Sequence, residues 1–189
     1  MVTTAEALQS LRDDPESFLK TNCIIIAGGA TRNPGPTIFR MLEGDTDVRS
    51  AGSVRFWKKK ARTFWSVRIS NNNGGDPGPG VVLADDEFEA YYIPMKQVGD
   101  TVMHTFGQVP TDGSQTIVLT SQLTGCTFGY SAVNGHFFAA HLQPPRDAGM
   151  TQVVKQRTMA DRIQAGMGGT GKLIRKGEEY RDIATVLGL

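Results

Sequence analysis

The sequence predicts an α+β fold, a single domain built on a β-sandwich or mixed β-sheet core flanked by helices. Three observations carry this expectation. Apolar residues recur at helical spacing towards both ends of the chain, while the middle consists of short β-branched and aromatic runs separated by glycine- and proline-rich turns. The length, 189 residues, suits one domain that buries about 70% of the surface its unfolded chain exposes. The expected organisation is a helical cap over residues 1–22, a β-rich core over 23–144, and a helix with a closing segment over 145–189.

Residues 4–20 place Ala5, Leu8, Leu11, Phe18 and Leu19 at roughly helical spacing, with Pro15 splitting the run into two short helices. From Cys23 onward the runs CIIIAGG, FWSVRIS, GVVLA, EAYYIP, TIVLT, CTFGYS and HFFAAHL read as strands. GGATRNPGP and NNNGGDPGPG are polar turn-formers and read as surface loops. Beyond Pro144 and Pro145, Met150, Val153, Val154, Met159 and Ile163 share one face of an expected helix. The segment LIRKGEEYRDIATVLGL closes the chain as a short strand or a helix.

Charge and composition narrow the function. Twenty Lys and Arg oppose nineteen Asp and Glu, so net charge offers no long-range attraction to nucleic acid or to an anionic membrane. A protein or a small molecule is the expected partner, and a monomer the expected state. The N-terminus lacks the basic patch and apolar stretch of a secretory signal, and no run approaches roughly 18 apolar residues. Folding in a cytosol is expected, with any export left to machinery that reads other signals. The two cysteines lie in dissimilar settings and are expected as reduced thiols, Cys23 as an inert core residue.

Residues 119–144 gather Cys126, His136 and His141. Asn134-Gly135 between two β-prone runs is a strong signal for a two-residue hairpin turn. The register that follows opposes Val133 to His136, Ser131 to Phe138, Phe128 to His141 and Cys126 to Gln143. Cys126 and Phe128 share a face, so Cys126 and His141 are diagonal neighbours about 7 Å apart in backbone position, and His136 takes the opposite face. A bulge between Cys126 and His141 would exchange the faces. A neighbouring imidazole turns a thiol into a nucleophilic thiolate and can hand the proton to a leaving group. Gly125 leaves the backbone beside the sulfur uncluttered, so a main-chain N–H there can hold an oxyanion. The competing reading is a core thiol beside a satisfied imidazole.

Other stretches invite readings that their context weakens. AGMGGTGKL has the glycine and lysine spacing of a phosphate-binding loop, but Leu173 follows Lys172 where Ser or Thr is needed, and ADRIQ before it is helical where a strand should lead. A surface turn is expected. RFWKKKARTFW mixes basic and aromatic residues as single-strand nucleic-acid binders do, yet a solvated turn with Trp57 and Trp65 packed inward suits the neutral chain better. His104 and His136 lack ligands at metal spacing, so no metal is expected.

LTGC at 123–126, followed by a strand, a turn and a strand ending in His141, resembles the Leu-Ser-Gly-Cys signature of the bacterial toxin glutamine deamidases, the family of cytotoxic necrotizing factor and Burkholderia lethal factor. Thr124 stands in place of the family's serine, and YYIPMKQVGD at 91–100 resembles the strand ending in Leu-Pro-Trp-Lys-Gln of the lethal factor. The resemblance covers about residues 82–144. It implies a fold like the cytotoxic necrotizing factor catalytic domain, with Cys126 as nucleophile, His141 as acid and base, and Thr120 as the residue that orients the histidine.

The activity implied is hydrolysis of a glutamine side-chain amide to glutamate through a thioester, with no cofactor. The implied substrate is a host protein, a Rho-family GTPase on one comparison and a translation-initiation RNA helicase on the other. Such an enzyme would be an effector made in a bacterial cytoplasm and acting in a host cytosol. The alternatives are transglutamination at the same site, where an amine resolves the thioester, and a silent binding module in which Cys126 is merely buried.

Overall fold

Thr3 opens the first helix through a reciprocal capping pair. Its hydroxyl accepts from the Glu6 N–H, and the Glu6 carboxylate accepts from the Thr3 N–H at 2.8 Å. Helix α1 (Thr4–Asp13) buries Ala7, Leu8 and Leu11. Asp14 then ends it and caps α2 (Pro15–Thr21), whose first residue is the proline that breaks the run.

The computed structural model describes residues 2–27, 33–44, 63–71, 75–100, 105–112, 117–121, 123, 125–133, 135–176 and 178. Trp57, His104, most of the closing segment and the side chain of Cys23 lie outside them. Among the described residues the fold is α+β and mostly sheet, with three helices and two sheets. The strands are β1 (Asn22–Ala27), β2 (Gly35–Glu43), β3 (Thr63–Ile69), β4 (Glu87–Ile93), β5 (Met95–Lys96), β6 (Phe106–Val109), β7 (Val118–Thr120), β8 (Thr127–Val133), β9 (His136–Leu142) and β10 (Lys172–Arg175). Helix α3 (Gln152–Gly166) lies between β9 and β10.

The chain forms two compact units. The first holds α1, α2, β1, β2, β3 and the start of β4, with strand order β1-β3-β2-β4. Here β1 runs parallel and β2 antiparallel to β3. Trp65 is buried and its indole N–H donates to the Asn22 side-chain oxygen at 3.0 Å, so its one polar atom is satisfied. Phe39 and Phe88 pack with ring centroids 5.9 Å apart.

Two strand expectations change in this unit. Gly35–Glu43 is a strand although its TIFRMLE core shows no clean alternation; the adjacent residues Ile38 and Phe39 point to opposite faces and both are buried, so β2 is covered on both faces. GVVLA is a loop, with Val82 90% exposed. Pro77 and Pro79 lack the N–H a ladder needs, and Gly80 sits at φ +77°, so pairing starts only at Glu87.

The second unit holds the end of β4, which pairs in parallel with β7, and a sheet of order β10-β8-β9-β5 with β6 on the flank of β9. On one face of that sheet Ala140 and Leu142 pack against Met159, Ile163 and Met167. On the other, Ala139 packs with Tyr91, Ile93 and Val109. Each fully buried aliphatic side chain here contributes roughly 1.5–3 kcal/mol. The inward stripe of α3 is Met159, Ala160 and Ile163, whereas Val153 and Val154 are exposed. Helix and sheet approach so closely that a Cβ at Gly129 would lie 2.4 Å from Cγ2 of Ile163. Gly129→Ala is therefore expected to lower urea-unfolding stability by about 1–3 kcal/mol, whereas Gly99→Ala, where a Cβ meets nothing within 4 Å, should leave it nearly unchanged.

Candidate active site

The β8–β9 hairpin brings the candidate residues together. Its register opposes Val133 to His136, Ser131 to Phe138 and Phe128 to His141, the pairing expected from the turn. The last pair is Thr127 with Leu142. Cys126 lies just before β8, and the Gln143 N–H donates to the Lys96 carbonyl at 2.9 Å instead of extending the hairpin. The reason is Gly125, at φ +124°, which turns the chain out of the strand. Ala139 and His141 share one face of β9, and Ala140 and Leu142 share the face under α3.

His141 is fully buried. Its Nδ1 lies 2.8 Å from Oγ1 of Thr120, and that same oxygen lies 2.7 Å from the carbonyl of Ile93. β7 sets this up, because its parallel pairing puts Thr120 opposite Ile93. The threonine hydroxyl has one proton, and the carbonyl can only accept it. Thr120 therefore donates to Ile93 and accepts from His141, which requires the proton on Nδ1 and leaves Nε2 as a bare lone pair. Nε2 is buried with no hydrogen-bond partner among the described residues. Burial pushes the imidazole pKa down to about 3, so the ring is neutral at pH 7. The His141 and Phe128 rings are near perpendicular, with centroids 6.5 Å apart.

Cys126 is in no disulfide and only 2% exposed. Its Sγ donates to Sδ of Met95 at 3.4 Å. Met95 is opposite His141 in the parallel β5–β9 pair, so the sulfur lies on the face of His141. Sulfur and imidazole share a face without the hydrogen bond that a resting Cys–His pair would make, since Nε2 has no partner among the described residues. Beside the sulfur, a Cβ at Gly125 would meet nothing within 4 Å.

Two residues at this site escape notice in the sequence. Met95 reaches it through a parallel pairing that no local pattern announces. Gln156 of α3 donates from Nε2 to the Gly125 carbonyl at 2.8 Å and accepts from the Thr127 hydroxyl at 3.0 Å. One signal was present: Gln156 falls on the same helical stripe as Met159, Ala160 and Ile163, a polar residue on an apolar face.

The remaining candidates lie elsewhere. His136 is exposed at the hairpin tip, with Nδ1 2.8 Å from Nε2 of Gln108. AGMGGTGKL is the end of α3, a turn with Gly168 and Gly169 at positive φ, and the start of β10; helix then strand is the reverse of a phosphate-binding loop. Among the described residues no three His, Cys, Asp or Glu side chains are grouped to hold a metal ion, and no helix is long and apolar enough to cross a membrane. A scan against models of known protein families gives no match to this chain, and a search of curated proteins gives none either.

Proposed function

We propose that this chain is a glutamine deamidase of the toxin and effector kind, converting a glutamine side chain of a host protein to glutamate. The observation that carries the proposal is the Thr120–His141 hydrogen bond, which makes Nε2 a proton acceptor on the face that also bears Cys126. In the proposed reaction the Cys126 thiol leaves Met95, and its proton passes to Nε2 as Sγ bonds to the carboxamide carbon. With the imidazole pKa held at about 3, no imidazolium–thiolate pair forms at rest. The C–N bond breaks as His141 returns the proton to departing ammonia. Water then attacks the thioester with His141 taking its proton, the C–S bond breaks as His141 passes that proton to sulfur, and the carboxylic acid released ionises to glutamate. The resemblance at LTGC and YYIPMKQVGD directs the search for substrates to Rho-family GTPases and a translation-initiation RNA helicase.

The test is mass spectrometry on eukaryotic cell extract incubated with wild type or Cys126→Ser. Wild type should raise the mass of specific glutamine-bearing peptides by about 1 Da, with the serine variant slower by at least ~10³-fold. Amine adducts in place of glutamate would assign transglutamination. The burial of both Cys126 and His141, and the hold of Met95 on the sulfur, favour a second reading, a silent binding module. Absence of any Cys126-dependent conversion or adduct would select it.

A further inference from the structure

We infer that Gln156 is a positioning residue of this site, orienting the peptide between Gly125 and Cys126 so that the Cys126 N–H faces the reacting groups. The inference rests on the deamidase reading and deepens it. Gln156 sits where the helix stripe would take an apolar side chain, and its amide spans the chain on both sides of the cysteine. A carbonyl can only accept, so Nε2 must be the atom on Gly125 and Oε1 the atom that takes the Thr127 hydroxyl.

The peptide is trans, so its C=O and N–H point in opposite directions. With the Gly125 carbonyl drawn towards α3, the Cys126 N–H is directed away from α3, to the side of the sheet that carries His141 and Sγ. Gly125 at φ +124° supplies a backbone turn that an L side chain rarely allows. When the sulfur bonds to the carboxamide carbon, the C=O electron pair moves onto oxygen, and a fixed main-chain donor beside the sulfur stabilises that charge. The pair returns to re-form C=O as the C–N bond breaks. Gln156 touches none of these atoms; it acts through the peptide it holds.

The test uses the full chain carrying Gln156→Ala or Gln156→Glu. Glutamate keeps the size of the side chain and can still accept from Thr127, but when ionised it has no donor for the Gly125 carbonyl. Three quantities are read: Cys126-dependent glutamine conversion over a dilution series of cell extract, Cys126 alkylation by iodoacetamide, and the Cys126 backbone amide resonance. Both variants should lose about 10²-fold in kcat with KM little changed. Alkylation, a displacement that builds no oxyanion, should stay within about twofold of wild type. The amide resonance should move. Wild-type kcat in Gln156→Glu, or alkylation falling in step with kcat, would overturn the inference. If wild type converts no glutamine, the deamidase reading falls by itself, and the amide resonance decides the positioning: a shift in Gln156→Glu upholds it and an unmoved resonance overturns it.

Discussion

Thr120→Val is expected to cut kcat for glutamine conversion by on the order of 10²–10⁴-fold while Thr120→Ser retains most of it. Valine matches threonine in shape but can neither accept the Nδ1 proton nor donate to Ile93. Without that acceptor the imidazole has no reason to keep its proton on Nδ1, and the tautomer with Nε2 protonated cannot take a proton from the thiol. The substitution also strips the buried His141 Nδ1 of its hydrogen-bond acceptor, at about 1–3 kcal/mol for a buried group, so stability should fall with activity. Serine restores the hydroxyl and both bonds. Single-turnover rates checked against urea midpoints separate the two effects. A valine variant as active as wild type would remove Thr120 from the mechanism.

Acid should weaken the fold through His141. In the unfolded chain this imidazole titrates near 6.5, and in the folded chain burial lowers that value to about 3. Between those values the unfolded chain binds a proton that the folded chain refuses. The His141 contribution is therefore fully present above about pH 6.5 and lost as pH falls towards 3, at up to about 1.4 kcal/mol per pH unit across that window. Several kcal/mol is a large part of the roughly 5–15 kcal/mol that holds a typical domain together. His141→Gln, which cannot titrate, should show a shallower loss of urea-unfolding free energy over the same range. Parallel curves for the two proteins would mean that the ring is not buried neutral.

What the sequence revealed about this site was local. Asn134-Gly135 implied a hairpin, period-two alternation implied faces, and together they separate His141 from His136 by counting alone. The register stops one residue short of Cys126 because Gly125 adopts a conformation that only the folded chain discloses. Thr120 entered through resemblance, and its role depends on β4 and β7 pairing in parallel across an interval of 27 residues. Met95 and Gln156 are likewise non-local, each 31 positions from its partner at the cysteine turn. Strand β2 escapes a reading by pattern because a strand covered on both faces loses the alternation that marks a half-exposed one.

The hairpin has one further consequence, for how the protein can vary and be engineered. From the Phe128–His141 pair to the Val133–His136 pair is five residues along the strands, about 17 Å at strand rise. What the proposed chemistry needs from the hairpin is parity, an unbroken count along each strand, and the tip lies beyond the Phe128–His141 pair. Residues added there lengthen a loop without turning His141 to the other face, whereas one residue inserted between Thr127 and Val133 would. The tip is thus the place for a label or a tag, and β8 itself has no such latitude.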